Sequence, residues 1–163
     1  MSDYLHRVGD AILQSAVVPA SLRGRLMRRL GYEIGYGSVL WSGASLRSKR
    51  ISFGTQVFIN VGFFYDGADE VVICDNVRIG QFVRLITATH EIGPGTQRCT
   101  VAAITKPIRI EDGCWLGSAC TILPGVTIER GCVIAAGSVV TKSTQAHGLY
   151  AGTPARRIKD LPP

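Results

Sequence analysis

Aliphatic residues recur at every sixth position over long stretches of the chain. From Ile110 they continue through Leu116, Ile122, Ile128, Ile134 and Val140. Shorter runs are Ile73, Ile79 and Leu85; Ile34, Leu40 and Leu46; and Ile51, Val57 and Phe63. Small residues stand four places after many of them, including Ser38, Ala44, Thr55, Thr89, Cys114, Cys120, Cys132 and Ser138, and glycine often follows directly, as at Gly35, Gly80 and Gly117. A period of six is neither the helical period nor the alternation of a half-buried strand. It suits a short strand plus a corner, and three such units close a triangular coil. The aliphatic residue then points inward and stacks on its counterpart in the next coil. The small residue fits the tight interior near a corner, and Gly, Asn or Asp admits positive φ at the turns. Stacked coils bury one continuous, narrow core. The expected fold is an all-β solenoid, a parallel β-helix of hexapeptide repeats over residues 34–150.

The pattern fails in three places. Residues 1–33 carry no hexads. Leu5, Val8, Ile12 and Ala16 fall on one helical face, Pro19 interrupts it, and Leu22, Leu26 and Leu30 form a second face that ends at Gly31. This predicts a short N-terminal helical segment. Arg23, Arg25, Arg28 and Arg29 lie mostly on the opposite side, which reads as a solvated face, with a membrane-surface or partner-binding face as the alternatives. The second break is "YDGADEVV". The third is "HEIGPGTQRCTVAA", which predicts an extruded loop over 91–103, and His90 stands at its root. Loops carried by a rigid scaffold often hold function. Residues 151–163 read as a C-terminal tail.

Composition narrows the classes. With 46% hydrophobic and 18% charged residues the chain is not a disordered one. It has no apolar run of the roughly 18 residues that a membrane span needs. The N-terminus lacks the apolar centre of a signal peptide, so a cytoplasmic protein is expected. A net charge of +6 without a basic, aromatic-lined groove argues against nucleic acid and suits an anionic small ligand. Five cysteines without CxxC spacing suggest neither a disulfide framework nor a zinc site. Cys114 and Cys132 should stack in adjacent coils, as should Cys120 and Ser138, all as small core residues.

The hexads, together with "TATHEIGP", "CWLGSACTILPGVTIERGCVIAAGSVVTK" and "YAGTPARRIKDL", resemble the hexapeptide-repeat acyltransferases, in particular the maltose, galactoside and xenobiotic O-acetyltransferase branch with its surface-polysaccharide members. The resemblance runs from about residue 34 to 161. It implies a left-handed β-helix, a homotrimer with active sites between subunits, acetyl-CoA as co-substrate and no metal. It implies His90 as general base and Asn60 and Asp66 as acceptor-binding residues. For coenzyme A it implies Trp115, Ser118, Ala136, Thr141, Lys142, Arg156 and Lys159, with Arg157 beside them. The chain departs from the family in lacking a carboxylate in the stretch "TVAAITKP" before Pro107. Glu91 is the one acid between His90 and Ile110, so either Glu91 or a backbone carbonyl is left to orient the imidazole.

The residue types suit that chemistry. An alcohol is a poor nucleophile while protonated, and an imidazole can take its proton near neutral pH. Asn60 and Asp66 can orient sugar hydroxyls, and the C-terminal cations can meet phosphates. The implied activity is O-acetylation of a carbohydrate hydroxyl. N-acetylation of an amino sugar or an antibiotic-type small molecule is the neighbouring alternative, and a non-catalytic trimeric scaffold is the alternative of another class. A zinc hydratase would need three imidazoles at one metal, but His6 and His147 fall far from His90 in the pattern.

Overall fold

The computed structural model describes residues 7–163 and the helical course of the chain from Ser2. Helix α1 (Ser2–Gln14) and helix α2 (Ala20–Arg29) cover the first coil of a parallel β-solenoid. Leu5 and His6 lie outside the described side chains. Among the described residues no helix is long and apolar enough to cross a membrane.

The coil has three faces, each a ladder of short strands. The first stacks Ile34, Phe53, Ile73, Ile110 and Ile128 in register. The second stacks Leu40, Ile59, Ile79, Leu116, Ile134 and Tyr150. The third stacks Leu46, Tyr65, Leu85, Ile122 and Val140. All of these side chains are buried, and most are fully so. Burying each aliphatic one contributes about 1.5–3 kcal/mol. Between successive strands the corner residue takes positive φ. Glycine holds that position at Gly37, Gly43, Gly62, Gly113, Gly125, Gly131 and Gly137, whereas Gln56, Asn76, Phe82 and Ala119 hold it elsewhere.

The expected cysteine stack is present. Cys114, Cys120 and Cys132 are buried, and each thiol points 3.1 Å from a carbonyl of the following coil, at Glu129, Ala135 and Gln145. Burial pushes the Cys114 thiol up to about 12 and the Cys120 thiol upward as well. All three cysteines are core residues.

Several expectations change in detail. In the run through Ile51, Val57 and Phe63 the ladder residues are Phe53, Ile59 and Tyr65, two places on. The expected residues are buried too, because both inward positions of these coils are apolar and the period alone does not choose between them. Thr55 consequently lies exposed on a corner, not inside. Thr89 is also exposed, on a strand that leaves the coil. The buried face of α2 is Arg23, Gly24 and Met27, while Leu22 is 44% exposed. Arg23 is therefore not part of a solvated face. Its guanidinium donates to the carbonyl oxygens of Ile12, Ser15, Val18 and Leu40, tying both helices to the second face. Arg25, Arg28 and Arg29 do face solvent.

The stretch 91–103 is not an irregular loop. It lies within an antiparallel hairpin, Ala88–Ile92 with Cys99–Thr105. Its backbone polar groups pair across the hairpin because no neighbouring coil reaches them. Residues 151–163 are not a simple tail either. Gly148–Gly152 extends the second face and pairs back with Ala155–Asp160. Arg157 pins this terminal hairpin. It donates to the carbonyls of Gln145, Ala146 and His147 and to the Tyr150 phenol, and it bridges Asp160 at 2.7 Å.

Candidate active site

The outer surface of the second face carries a cleft of about 600 Å³. Side chains one place before the ladder residues point outward, as strand alternation requires. Phe58, Arg78, Trp115, Val133 and Leu149 thus form a continuous outer stripe. Residues just past the ladder, Asn60, Gly80, Gln81, Gly117, Ser118 and Ala136, line the opposite wall. The glycines let the wall be thin. A Cβ on Gly117 would stand 2.6 Å from the Ala136 nitrogen, and one on Gly80 would stand 2.7 Å from the Ser118 nitrogen. Ser118 donates its hydroxyl to Gln81 Oε1, which joins neighbouring coils across the floor. Asn60 Oδ1 accepts the Val61 N–H at 2.8 Å, which leaves its amide nitrogen for a ligand.

Four expected site residues, Asn60, Trp115, Ser118 and Ala136, therefore line one cleft. The others do not. His90 and Glu91 are exposed on the hairpin strand Ala88–Ile92. The imidazole makes no hydrogen bond to Glu91 or to any other described group. Consecutive strand residues point to opposite sides, and the hairpin register shifts between His90 and Ile92. Thr141 and Lys142 follow the last strand of the third face and are exposed, as are Arg156 and Lys159. Arg157 has its donors committed within the terminal hairpin. His147 occupies a corner against Gly131.

Asp66 holds the base of the hairpin. Its carboxylate accepts from the Thr87 N–H at 2.8 Å, the Ala88 N–H at 3.1 Å and the Thr87 hydroxyl. Thr87 is fully buried, and its hydroxyl oxygen accepts the Asp69 N–H at 2.9 Å. The two chain excursions on this side are thus knitted together three residues before His90. Phe58, Arg78, Gln81, Val133 and Leu149 are among the cleft residues that the sequence reading missed. For Phe58, Arg78, Val133 and Leu149 the signal is the position directly before an inward residue, visible only once the coils are in register.

The comparisons agree with this architecture. Residues 107–142 match the family model described as the hexapeptide repeat of succinyl-transferase. The galactoside O-acetyltransferase of Lactococcus lactis subsp. lactis is 30% identical over 152 residues, covering 90% of this chain and 73% of the relative. A hexapeptide-repeat acetyltransferase of Vibrio cholerae O1 biovar eltor, solved with acetyl-CoA, superposes with a TM-score of 0.87 at 32% identity, covering 99% of this chain and 87% of that one. A maltose O-acetyltransferase of Clostridium difficile 630 gives 0.83 at 26% identity, with the same two coverages of 99% and 87%. The chain belongs to the hexapeptide-repeat acetyltransferases, and its solenoid is their left-handed parallel β-helix. It spans between 54% and 73% of the length of the curated relatives it matches.

Proposed function

We propose that the protein transfers an acetyl group from acetyl-CoA to a hydroxyl of a carbohydrate, with His90 as general base, in a homotrimer whose active sites lie between subunits. One observation carries the reading. The cleft on the second face gathers Asn60, Trp115, Ser118 and Ala136, while His90 stands away from it on an exposed hairpin. A cleft and a base on separate parts of one subunit suit a site that two subunits complete. The likeness to an acetyltransferase solved with acetyl-CoA supports the donor. The galactoside and maltose O-acetyltransferase relatives support a sugar acceptor. A cytoplasmic location, where acetyl-CoA is at hand, belongs to the same proposal.

In this reading the apolar wall from Trp115 to Leu149 receives the thioester arm. The exposed cations Lys142, Arg156 and Lys159 meet the phosphates. Asn60 orients the acceptor, and His90 takes the hydroxyl proton as the oxygen attacks the thioester carbon. The proton then passes to the departing thiolate, so that thiol leaves and ester forms. Thiol release from acetyl-CoA, measured over a panel of sugars, amino sugars and glycan oligomers, tests it. His90→Ala is expected to lower kcat by about 10²- to 10⁴-fold with unchanged acetyl-CoA affinity. Turnover that survives the substitution would remove His90 from the chemistry. Turnover only on amines would replace O- by N-acetylation, and absence of acetyl-CoA binding would leave a non-catalytic scaffold.

A further inference from the structure

The structure assigns Arg78 as the group that selects an anionic sugar as acceptor, an inference that rests on the transferase reading and names its substrate class. Arg78 is the one formally charged residue among those lining the cleft. It lies in ladder register between Phe58 and Trp115, on the same outer stripe. One terminal nitrogen donates to the Gln56 carbonyl oxygen at 2.6 Å, which anchors the guanidinium against the neighbouring coil. Among the described residues no carboxylate pairs with it. A guanidinium carries five N–H donors, so this one retains a set directed by its anchor and matched to no protein partner.

Its surroundings raise the significance of that free charge. The cleft wall is mainly aromatic and aliphatic, and a cleft lined by one sign of charge concentrates ligands of the other. Asn60 lies on the coil of Phe58 and on the same cleft, one strand spacing of about 4.8 Å from the coil of Arg78. A sugar held at Asn60 would therefore reach Arg78 with a neighbouring substituent. The expected coenzyme cations Lys142, Arg156 and Lys159 are not among the cleft-lining residues, so Arg78 is not needed to repeat their role. Arg84 provides the internal contrast. It holds the equivalent outward position on the third face, is exposed, and is not among the residues that line this cleft.

Planar carboxylates and phosphate esters both match the guanidinium fork. The probes are therefore D-glucuronate, N-acetylneuraminate and glucose 6-phosphate against neutral glucose and N-acetylglucosamine. Binding is read by calorimetry with and without coenzyme A, and transfer by thiol release. At least one anionic probe is expected to bind or turn over about tenfold or more better than its neutral counterpart. Arg78→Gln should close that gap, Arg78→Lys should keep part of it, and Arg84→Gln should leave it intact. KM for acetyl-CoA should stay the same in all three. Carboxylate against phosphate probes then identify the anion. Equal affinity for charged and neutral sugars, a gap that survives Arg78→Gln, or no sugar binding would overturn the assignment. So would weaker acetyl-CoA binding in place of weaker sugar binding, which would give Arg78 to the coenzyme, or loss of the oligomer in Arg78→Gln, which would make it an interface residue. Failure of the wild-type protein to bind acetyl-CoA would instead strike at the transferase reading, because sugar binding is also read without coenzyme.

Discussion

Two corners of the coil differ from the third. From the first face to the second, and from the second to the third, ladder residues are six apart at every level, from Ile34–Leu40 and Leu40–Leu46 to Ile128–Ile134 and Ile134–Val140. From the third face back to the first, the separation is seven at Leu46–Phe53, eight at Tyr65–Ile73, twenty-five at Leu85–Ile110 and six at Ile122–Ile128. The constant corners are closed by backbone on backbone. A Cβ on Gly35 would stand 2.3 Å from the Gly54 carbonyl oxygen, and one on Gly117 would meet Ala136 at 2.6 Å. The variable corner has a close backbone approach as well, with a Cβ on Gly67 standing 2.8 Å from the Arg47 carbonyl carbon, and it adds side-chain ties across the longer chain. Asp66 and Thr87 knit its strands, and the Tyr65 phenol donates to the Asp69 carbonyl at 2.6 Å. The extra chain is confined to this one corner, and it is the corner that carries His90.

Insertions offer the largest test of that contrast. Two glycines placed between Gly117 and Ser118 would part backbones already in contact and break the register of every later coil. The expected loss is at least about 4 kcal/mol, with failure to fold as the extreme outcome. The same two glycines between Gly95 and Thr96, at the exposed hairpin tip, only lengthen a loop, at a cost of under about 1 kcal/mol. Thermal midpoints should fall by less than about 4 °C in that second protein. Similar losses in both would mean that the corners do not differ in the way their geometry implies.

Much of this frame was legible in the residues. The run from Ile110 to Val140 keeps a strict six because its corners are all short, and the cysteines mark the narrow interior. Reading failed where two inward positions were equally apolar, as at Ile51 and Phe53, and where a buried arginine resembled a surface one, as at Arg23. The hairpin was missed because Ala88–Ile92 and Cys99–Thr105 are exposed along most of their length, so no alternation of burial was written into them. The cleft was half legible. Ser118 and Ala136 stand in recognisable motifs, but Arg78 becomes a cleft residue only when coils 37 positions apart, at Arg78 and Trp115, are laid side by side.

Glycine substitutions separate two constraints within the constant corners, backbone conformation and coil stacking. Gly117 has an ordinary φ and no space, whereas Gly113 has a φ of +67° and nothing within 4 Å of a built Cβ. Gly113→Ala should lose about 1–2 kcal/mol through its left-handed backbone alone. Gly117→Ala should lose about 3 kcal/mol through forced separation of two coils. Denaturant midpoints at constant slope decide the order, and a reversed order would mean that conformation outweighs stacking at these corners.

Asp66 tests how the variable corner serves chemistry. Its carboxylate oxygens already receive Thr87 and Ala88, so it is better placed to hold the His90 strand than to grip an acceptor. Asp66→Ala should lower kcat about tenfold, leave acetyl-CoA KM unchanged and speed amide exchange at Ala88, with a stability loss of roughly 1–3 kcal/mol for donors left unpaired. A rise in acceptor KM with unchanged kcat and exchange would return Asp66 to acceptor binding.

The smallest expected effect concerns thiols and separates the regular coils from the excursion. Cys114, Cys120 and Cys132 are buried in the regular coils, and Cys74 is half-buried on the first face beside Glu111. Burial, with the Glu111 charge adding to it, pushes the Cys74 thiol up to about 11. At pH 8 that leaves about one thiolate in a thousand. Cys99 alone is exposed, at the start of the second hairpin strand. A disulfide reagent at pH 8 should therefore consume one thiol per chain quickly and the others only on unfolding. Cys99→Ser should abolish the fast phase without a measurable change in stability. A second fast thiol would place an opening in the regular coils, where the stacked backbones leave none.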